Sequence, residues 1–237
     1  MTGATTPAAV HSQTLSRGMR MLEILADAPG SLSIADLAAA LGVHRSIAYR
    51  ILRTLEDHRM VVRDASGGVL LGPQLAALAR GVSRDLQAAA LPELTAVAGD
   101  LGMTAFLVVL DRDECVTLVS VEPRHTNGSV VQRPGTRHPL SVGAPGIAIQ
   151  SSMSDTELAA LLPGRGIREG VLEARRRGFA TSHGEVIPGV SSVSVPLTMH
   201  GQPPAAISVV YVTTEKPATS VSRRLAAAVA AIAREFS

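Results

Sequence analysis

Residues 45–53 read Arg-Ser-Ile-Ala-Tyr-Arg-Ile-Leu-Arg. Arginine can bond guanine O6 and N7 together or neutralise a phosphate, and a serine near a helix start can reach a phosphate or a base edge. At ~100° per residue, Arg45, Tyr49, Arg53, Ser46 and Arg50 fall within an arc of ~140°, while Ala48, Ile51, Leu52 and Leu55 fall between ~240° and ~340°. The polar arc holds no acid, and Glu56 lies one turn beyond it. Such a helix can pack its aliphatic side on its own domain and lay the other in the major groove of DNA. Taken alone, these residues also fit a surface helix with a solvated arginine face.

A second set lies far along the chain. Gly143-Ala144-Pro145-Gly146 precedes an expected helix, and amides at a helix start can hold a carboxylate. Ser191, Ser192 and Ser194 interrupt an aliphatic strand. Alternation puts Ser192 and Ser194 on one face, where they either line a cavity or meet water. The ingredients of catalysis are poor. The seven histidines, at 11, 44, 58, 125, 138, 183 and 200, show no metal-ligand spacing. Neither a Gly-x-Ser-x-Gly elbow nor a P-loop occurs. Cys115, beside a turn, reads as structural. Arg124-His125 and Arg137-His138 read as solvated loop pairs. No catalytic residue, metal ligand or cofactor is expected.

Several elements must position these residues. Leu15, Met19, Leu22 and Leu25 recur at helical spacing up to the Pro29-Gly30 break. A second helix fits 33–40, with Ser33 and Asp36 in capping-box order. Gly42 makes the turn into a third helix over 44–58. Residues 60–63 and 69–71 then form a hairpin around a polar turn, with Arg63 placed to touch a DNA backbone. Residues 75–101 are helical in one or two pieces, and Pro92 suits a first turn or a kink. Leu75, Leu78, Val82 and Leu86 form a stripe that needs either a partner helix or packing within the chain. After Gly102 come β-rich runs at 104–110 and 116–121 and a Gly/Pro/His-rich stretch at 123–145. Helices follow near 146–152, 154–162 and 168–178, then strands at 190–197 and 205–212 and a helix over 218–236.

Composition bounds the function classes. The chain has 237 residues, 46% hydrophobic and 18% charged, enough for a real core. With no Trp, two Tyr and three Phe, that core is aliphatic. One cysteine excludes intrachain disulfides and cysteine-rich zinc sites. No apolar run approaches the ~20 residues of a membrane span, and residues 1–14 lack the marks of a signal peptide. They read as a disordered lead, and the cytoplasm is the expected compartment. The net charge of +2 does not itself point to nucleic acid, although residues 1–80 carry all of it, with 8 Arg against 6 acids.

In its order of elements, the stretch over 15–72 resembles the winged helix-turn-helix domain of IclR-type transcriptional regulators. It runs from Leu-Ser-Arg-Gly-Met-Arg-Met-Leu-Glu-Ile-Leu through Leu-Gly-Val-His-Arg-Ser-Ile-Ala-Tyr-Arg-Ile-Leu-Arg-Thr-Leu-Glu to Gly-Val-Leu-Leu-Gly-Pro. Arg133-Pro134-Gly135, His138-Pro139-Leu140 and Gly146 resemble the start of the family's effector domain. Arg177-Gly178-Phe179-Ala180, Glu185, Pro188-Gly189-Val190 and the run 193–197 resemble its C-terminal signature. The resemblance implies an α+β chain: a DNA-binding domain at 15–73, a linker helix at 74–90 and a GAF/PAS-like effector-binding and oligomerisation domain at 91–237. It implies an operator of double-stranded DNA read by Ser33, Arg45, Ser46, Tyr49, Arg50, Arg53 and Arg63. It also implies a homodimer or dimer of dimers, and a small-molecule effector held by Gly143, Ala144, Gly146, Ser182, Glu185, Ser192 and Ser194. The chain departs from the family where Ser182 replaces a frequent Asp, Gly184 an acid, Ser192 a frequent Cys and Ile147 a common Lys. Either the effector is less polar or larger than a short carboxylate, or the pocket has drifted. The other readings are a constitutive DNA-binding protein whose second domain only dimerises and, more remotely, a small-molecule enzyme.

Overall fold

The computed structural model describes residues 12–124 and 130–236. Most of the lead expected at 1–14, and His125 of the first loop pair, lie outside them. The chain divides between Val82 and Ser83 into two compact units.

The first unit comprises α1 (Gln13–Asp27), α2 (Ile34–Leu41), α3 (Arg45–Asp57), β1 (Val61–Arg63), β2 (Val69–Leu71) and α4 (Gln74–Ala79). Ser33 and Asp36 form the expected capping box on α2, and Gly42 ends it at φ 63°, a left-handed conformation that costs other residues. The two strands pair antiparallel. Met21, Leu25, Leu37, Leu52, Leu55, Val61 and Val69, from α1, α2, α3 and the hairpin, close one small aliphatic core.

The expected linker helix over 74–90 is broken. α4 stops at Ala79, and Ser83 stands at φ 45° before α5 (Arg84–Leu101) begins. Gly81-Val82-Ser83 is a run of weak helix formers, which accounts for the gap. The apolar stripe is split with it: Leu78 is exposed, whereas Leu86 is fully buried. Pro92 sits inside α5.

The second unit continues with β3 (Thr104–Asp111), β4 (Glu114–Val121), β5 (Arg137–Pro139), α6 (Gly143–Ser151), α7 (Asp155–Leu161) and α8 (Glu169–Arg177). β6 (Ala180–His183), β7 (Ser191–Leu197), β8 (Ala205–Tyr211) and α9 (Ala218–Arg234) complete it. Six strands form one antiparallel sheet in the order β5-β4-β3-β8-β7-β6. α5 and α9 cover one face through Leu107, Val193, Val195, Ile207 and Val209. α6 and α8 cover the other, where Phe106, Val108, Cys115 and Ala206 are joined by the buried hydroxyls of Ser192, Ser194 and Ser208. Burial pushes the Cys115 thiol up to about 12, so it stays protonated and inert, as its structural reading requires.

Candidate functional site

α3 keeps the two arcs of its sequence apart. Ala48, Ile51, Leu52 and Leu55 are buried, and Arg45, Ser46, Tyr49, Arg50 and Arg53 are all exposed. Tyr49 is 50% exposed, although an aromatic ring ordinarily gains from burial. The helix is positioned by a residue that the sequence reading passed over. His44 is its N-cap: the imidazole Nδ1 accepts the Ser46 N–H at 3.3 Å and lies 2.9 Å from Ser46 Oγ. Accepting at Nδ1 requires the neutral ring to carry its proton on Nε2. An exposed donor therefore stands at the start of α3, and a polar residue directly before that helix was the available signal.

The remaining expected contacts are tied up to different degrees. Arg63 donates Nε to Glu56 Oε1 at 2.7 Å and Nη1 to the Gly67 carbonyl at 3.2 Å, so it braces the hairpin against α3. Glu56 also lies 3.8 Å from Arg53. Ser33 donates its hydroxyl to Asp36 Oδ2 at 2.7 Å and accepts the Asp36 N–H at 3.2 Å, so its role here is the cap.

In the second unit the start of α6 already holds a carboxylate, the chain's own. Gly143 N–H donates to Glu185 Oε2 at 2.9 Å, and Ala144 N–H donates to Ser182 Oγ at 2.9 Å. Arg168 grips both oxygens of Glu185 at 3.1 Å and donates to the Ser141 carbonyl at 2.6 Å. Its guanidinium holds the Glu185 carboxyl below the usual carboxylate range. Beside this cluster lies a recess lined by Phe106, Gln132, His138, Pro145, Ser182 and Ser192 among others. Val186 and Ile187, from the loop between β6 and β7, also line it. Its free space is about 40 Å³, room for roughly three or four waters at ~10–15 Å³ each.

Several expected effector residues are placed differently. Gly146 is a packing position: a Cβ there would stand 2.2 Å from the Leu140 carbonyl oxygen. Ser194 is fully buried and donates to Ser208 Oγ at 2.7 Å, away from the recess. Ser192 lines the recess while donating to the Val209 carbonyl at 2.8 Å. Neither serine faces bulk solvent. His138 is not a solvated loop residue either. It lies on β5 opposite Cys115 and is only 7% exposed, whereas Arg137 points outward to Asp111 and Glu114, each at 2.9 Å. Among the described residues, no group of three potential ligands could hold a metal ion.

Burial pushes His138 below its ordinary value of 6.5. Between that lowered value and 6.5, the unfolded chain takes up a proton that the folded chain refuses, so stability rises with pH across the window. Glu185 acts in the same direction but lower, its contribution being lost as pH falls below 4.5. Urea melts on either side of pH 6.5 should show the first slope, and His138→Phe should flatten it.

Residues 14–65 match the family model of the IclR helix-turn-helix domain, and residues 81–237 that of the bacterial transcriptional regulator IclR C-terminal domain. The glycerol operon regulatory protein of Streptomyces griseus is 32% identical over 216 residues, covering 85% of this chain and 84% of that protein. The crystal structure of an IclR-type regulator from Alicyclobacillus acidocaldarius superposes with a TM-score of 0.81 at 27% identity, over 96% of this chain and all of that one. An IclR homologue from Microbacterium hydrocarbonoxydans, crystallised with 4-hydroxybenzoate, shares the fold with a TM-score of 0.82 at 21% identity, over 94% of this chain and 99% of that one.

Proposed function

The chain belongs to the IclR family of bacterial transcriptional regulators, and we propose that α3 reads its operator while the recess of the second unit takes a small effector that shifts operator affinity. The α3 surface carries the reading: three exposed arginines, a serine and a tyrosine stand opposite a sealed aliphatic face. Arg45 and Tyr49 approach base edges, while Arg50 and Arg53 neutralise phosphates. Arg63 contributes through its grip on the hairpin.

Effector and DNA each favour one arrangement of the DNA-binding domains, and linkage couples the two. The 4-hydroxybenzoate bound by a protein of the same fold supports a small ring compound as the effector. Leu15, Met19 and Leu78, 59%, 48% and 52% exposed, support a homodimer or a dimer of dimers, which sedimentation of the purified protein would read. Among the described residues no helix is long and apolar enough to cross a membrane, and action on operators supports a cytoplasmic location, with no catalytic residue assigned. One observation favours a constitutive binder instead: Glu185 fills the amide site that a carboxylate effector would use.

The test is fluorescence anisotropy with DNA from upstream of the chain's own gene, titrated against salt, scrambled competitor and ring compounds. Arg53→Ala should weaken operator and scrambled DNA alike and lower the salt slope by about one. An unchanged slope would remove Arg53 from the contact set. Affinity that ignores every compound would favour the constitutive reading.

A further inference from the structure

The recess carries a sharper statement about its ligand, one that rests on the effector reading above. Its usual attraction for an anion is already satisfied from within. Glu185 takes the first free amide of α6, Ser182 takes the second, Pro145 has none to give, and Arg168 is spent on Glu185. A ligand carboxylate would have to enter beside a fixed carboxylate, with no free cation among the described lining residues to receive it.

The recess offers acceptors in place of donors. His138 Nδ1 lies 3.1 Å from the Pro139 carbonyl oxygen, which fixes the proton there and leaves Nε2 a bare acceptor. Nε2 has no partner among the described residues, although the ring is only 7% exposed and borders the cavity. Gln132, 9% exposed, gives its Nε2 to Thr117 Oγ1 at 2.8 Å, and its amide oxygen has no partner among the described residues. Ser182 accepts from Ala144, so its own hydroxyl proton is available. A Cβ on Gly143 would lie 3.7 Å from His138 Cε1, which places the imidazole against the same helix start. Phe106, Val210 and Val190 form the apolar wall.

The geometry points to an uncharged, hydroxyl-bearing apolar compound as the ligand of this recess, with its O–H donated to His138 Nε2 and its oxygen accepting from Ser182. A carboxylate of the same ring size is refused because Glu185 stands in its place. A ring of phenol's size exceeds the present free space of about 40 Å³, so its binding displaces the lining side chains Val186 and Ile187.

Phenol and benzoate are matched probes for this assignment. Each is titrated into the full-length protein by calorimetry, and the Gly143, Ala144 and Ser182 amides are followed by NMR. Phenol is expected to saturate and move those amides, with benzoate weaker by at least about tenfold. His138→Phe keeps a ring and removes the acceptor, and it should weaken phenol by about tenfold. Glu185→Ala should admit benzoate, with Glu185→Gln as the variant that keeps the loop's hydrogen bond. Equal binding of the two probes, no saturation by either, or phenol binding indifferent to His138→Phe would overturn the assignment. Operator anisotropy on the same preparation separates the two readings. Sequence-selective DNA binding without the phenol contrast sinks only the ligand class. The contrast without selective DNA binding sinks the regulator.

Discussion

Arg45→Ala should cost each operator half-site about 1–3 kcal/mol, or about 5- to 150-fold in affinity. Arg45 is the first residue of α3, the end that approaches base edges in this motif. Its guanidinium makes no ion pair among the described residues, whereas Arg53 shares Glu56 with Arg63. Nothing within the first unit has to be given up before Arg45 meets DNA. The side chain is exposed, so its removal should leave the thermal midpoint within experimental error. Two signatures distinguish base reading from phosphate contact. Arg45→Lys should recover little, because an ammonium cannot span guanine O6 and N7 as the planar fork does. Discrimination should relax at one operator position while the salt slope stays near the wild-type value. A uniform loss over all sequences would move Arg45 to the phosphates.

A large stability change is expected at Gly146. Its Cβ would sit 2.2 Å from the Leu140 oxygen and 3.0 Å from the Leu140 carbonyl carbon, both backbone atoms that cannot rotate away. α6 would have to lift, and the bond from Gln150 Nε2 to that same Leu140 oxygen, 2.8 Å, would go with it. Gly146→Ala should therefore destabilise the second unit by about 1–3 kcal/mol or more. Gly170 is the control. A methyl there, inside α8, meets only the Ile147 side chain, Cδ1 at 3.5 Å and Cγ2 at 3.8 Å, both ordinary contacts. Gly170→Ala should be neutral or stabilising by up to about 1 kcal/mol. Urea melts of both variants test the pair. A silent Gly146→Ala would return that residue to the effector-binding set.

The elements with strong periodicity were legible without coordinates. α3 shows both arcs in nine consecutive residues, 45–53, because one helix side alone decides what is buried. β5 and β6 were not legible. They are three and four residues long, polar, and lie at the two edges of the sheet, where pairing comes from one neighbour only. With β5 unseen, the alternation that turns His138 inward and Arg137 outward could not be applied. The amide site failed for another reason. Glu185 reaches Gly143 across 42 residues of sequence, and no local spacing encodes that contact. Gly146 and Ser194 share a cause too: small residues suit a ligand cradle and a tight packing contact equally well, and only the distances separate the two.

The central sheet presents aliphatic side chains to α5 and α9 and hydroxyls to α6 and the recess, with neighbours in one strand serving opposite faces. Val193 and Val195 hold the fold together, while Ser192 between β6 and β8 meets the ligand space. For a lineage this is a division of inheritance. A single codon change at Ser192 can retune what the protein senses, while Val193 and Val195 keep the scaffold that lets the altered sensor be tried at all. Ligand preference can thus diversify among descendants faster than architecture does.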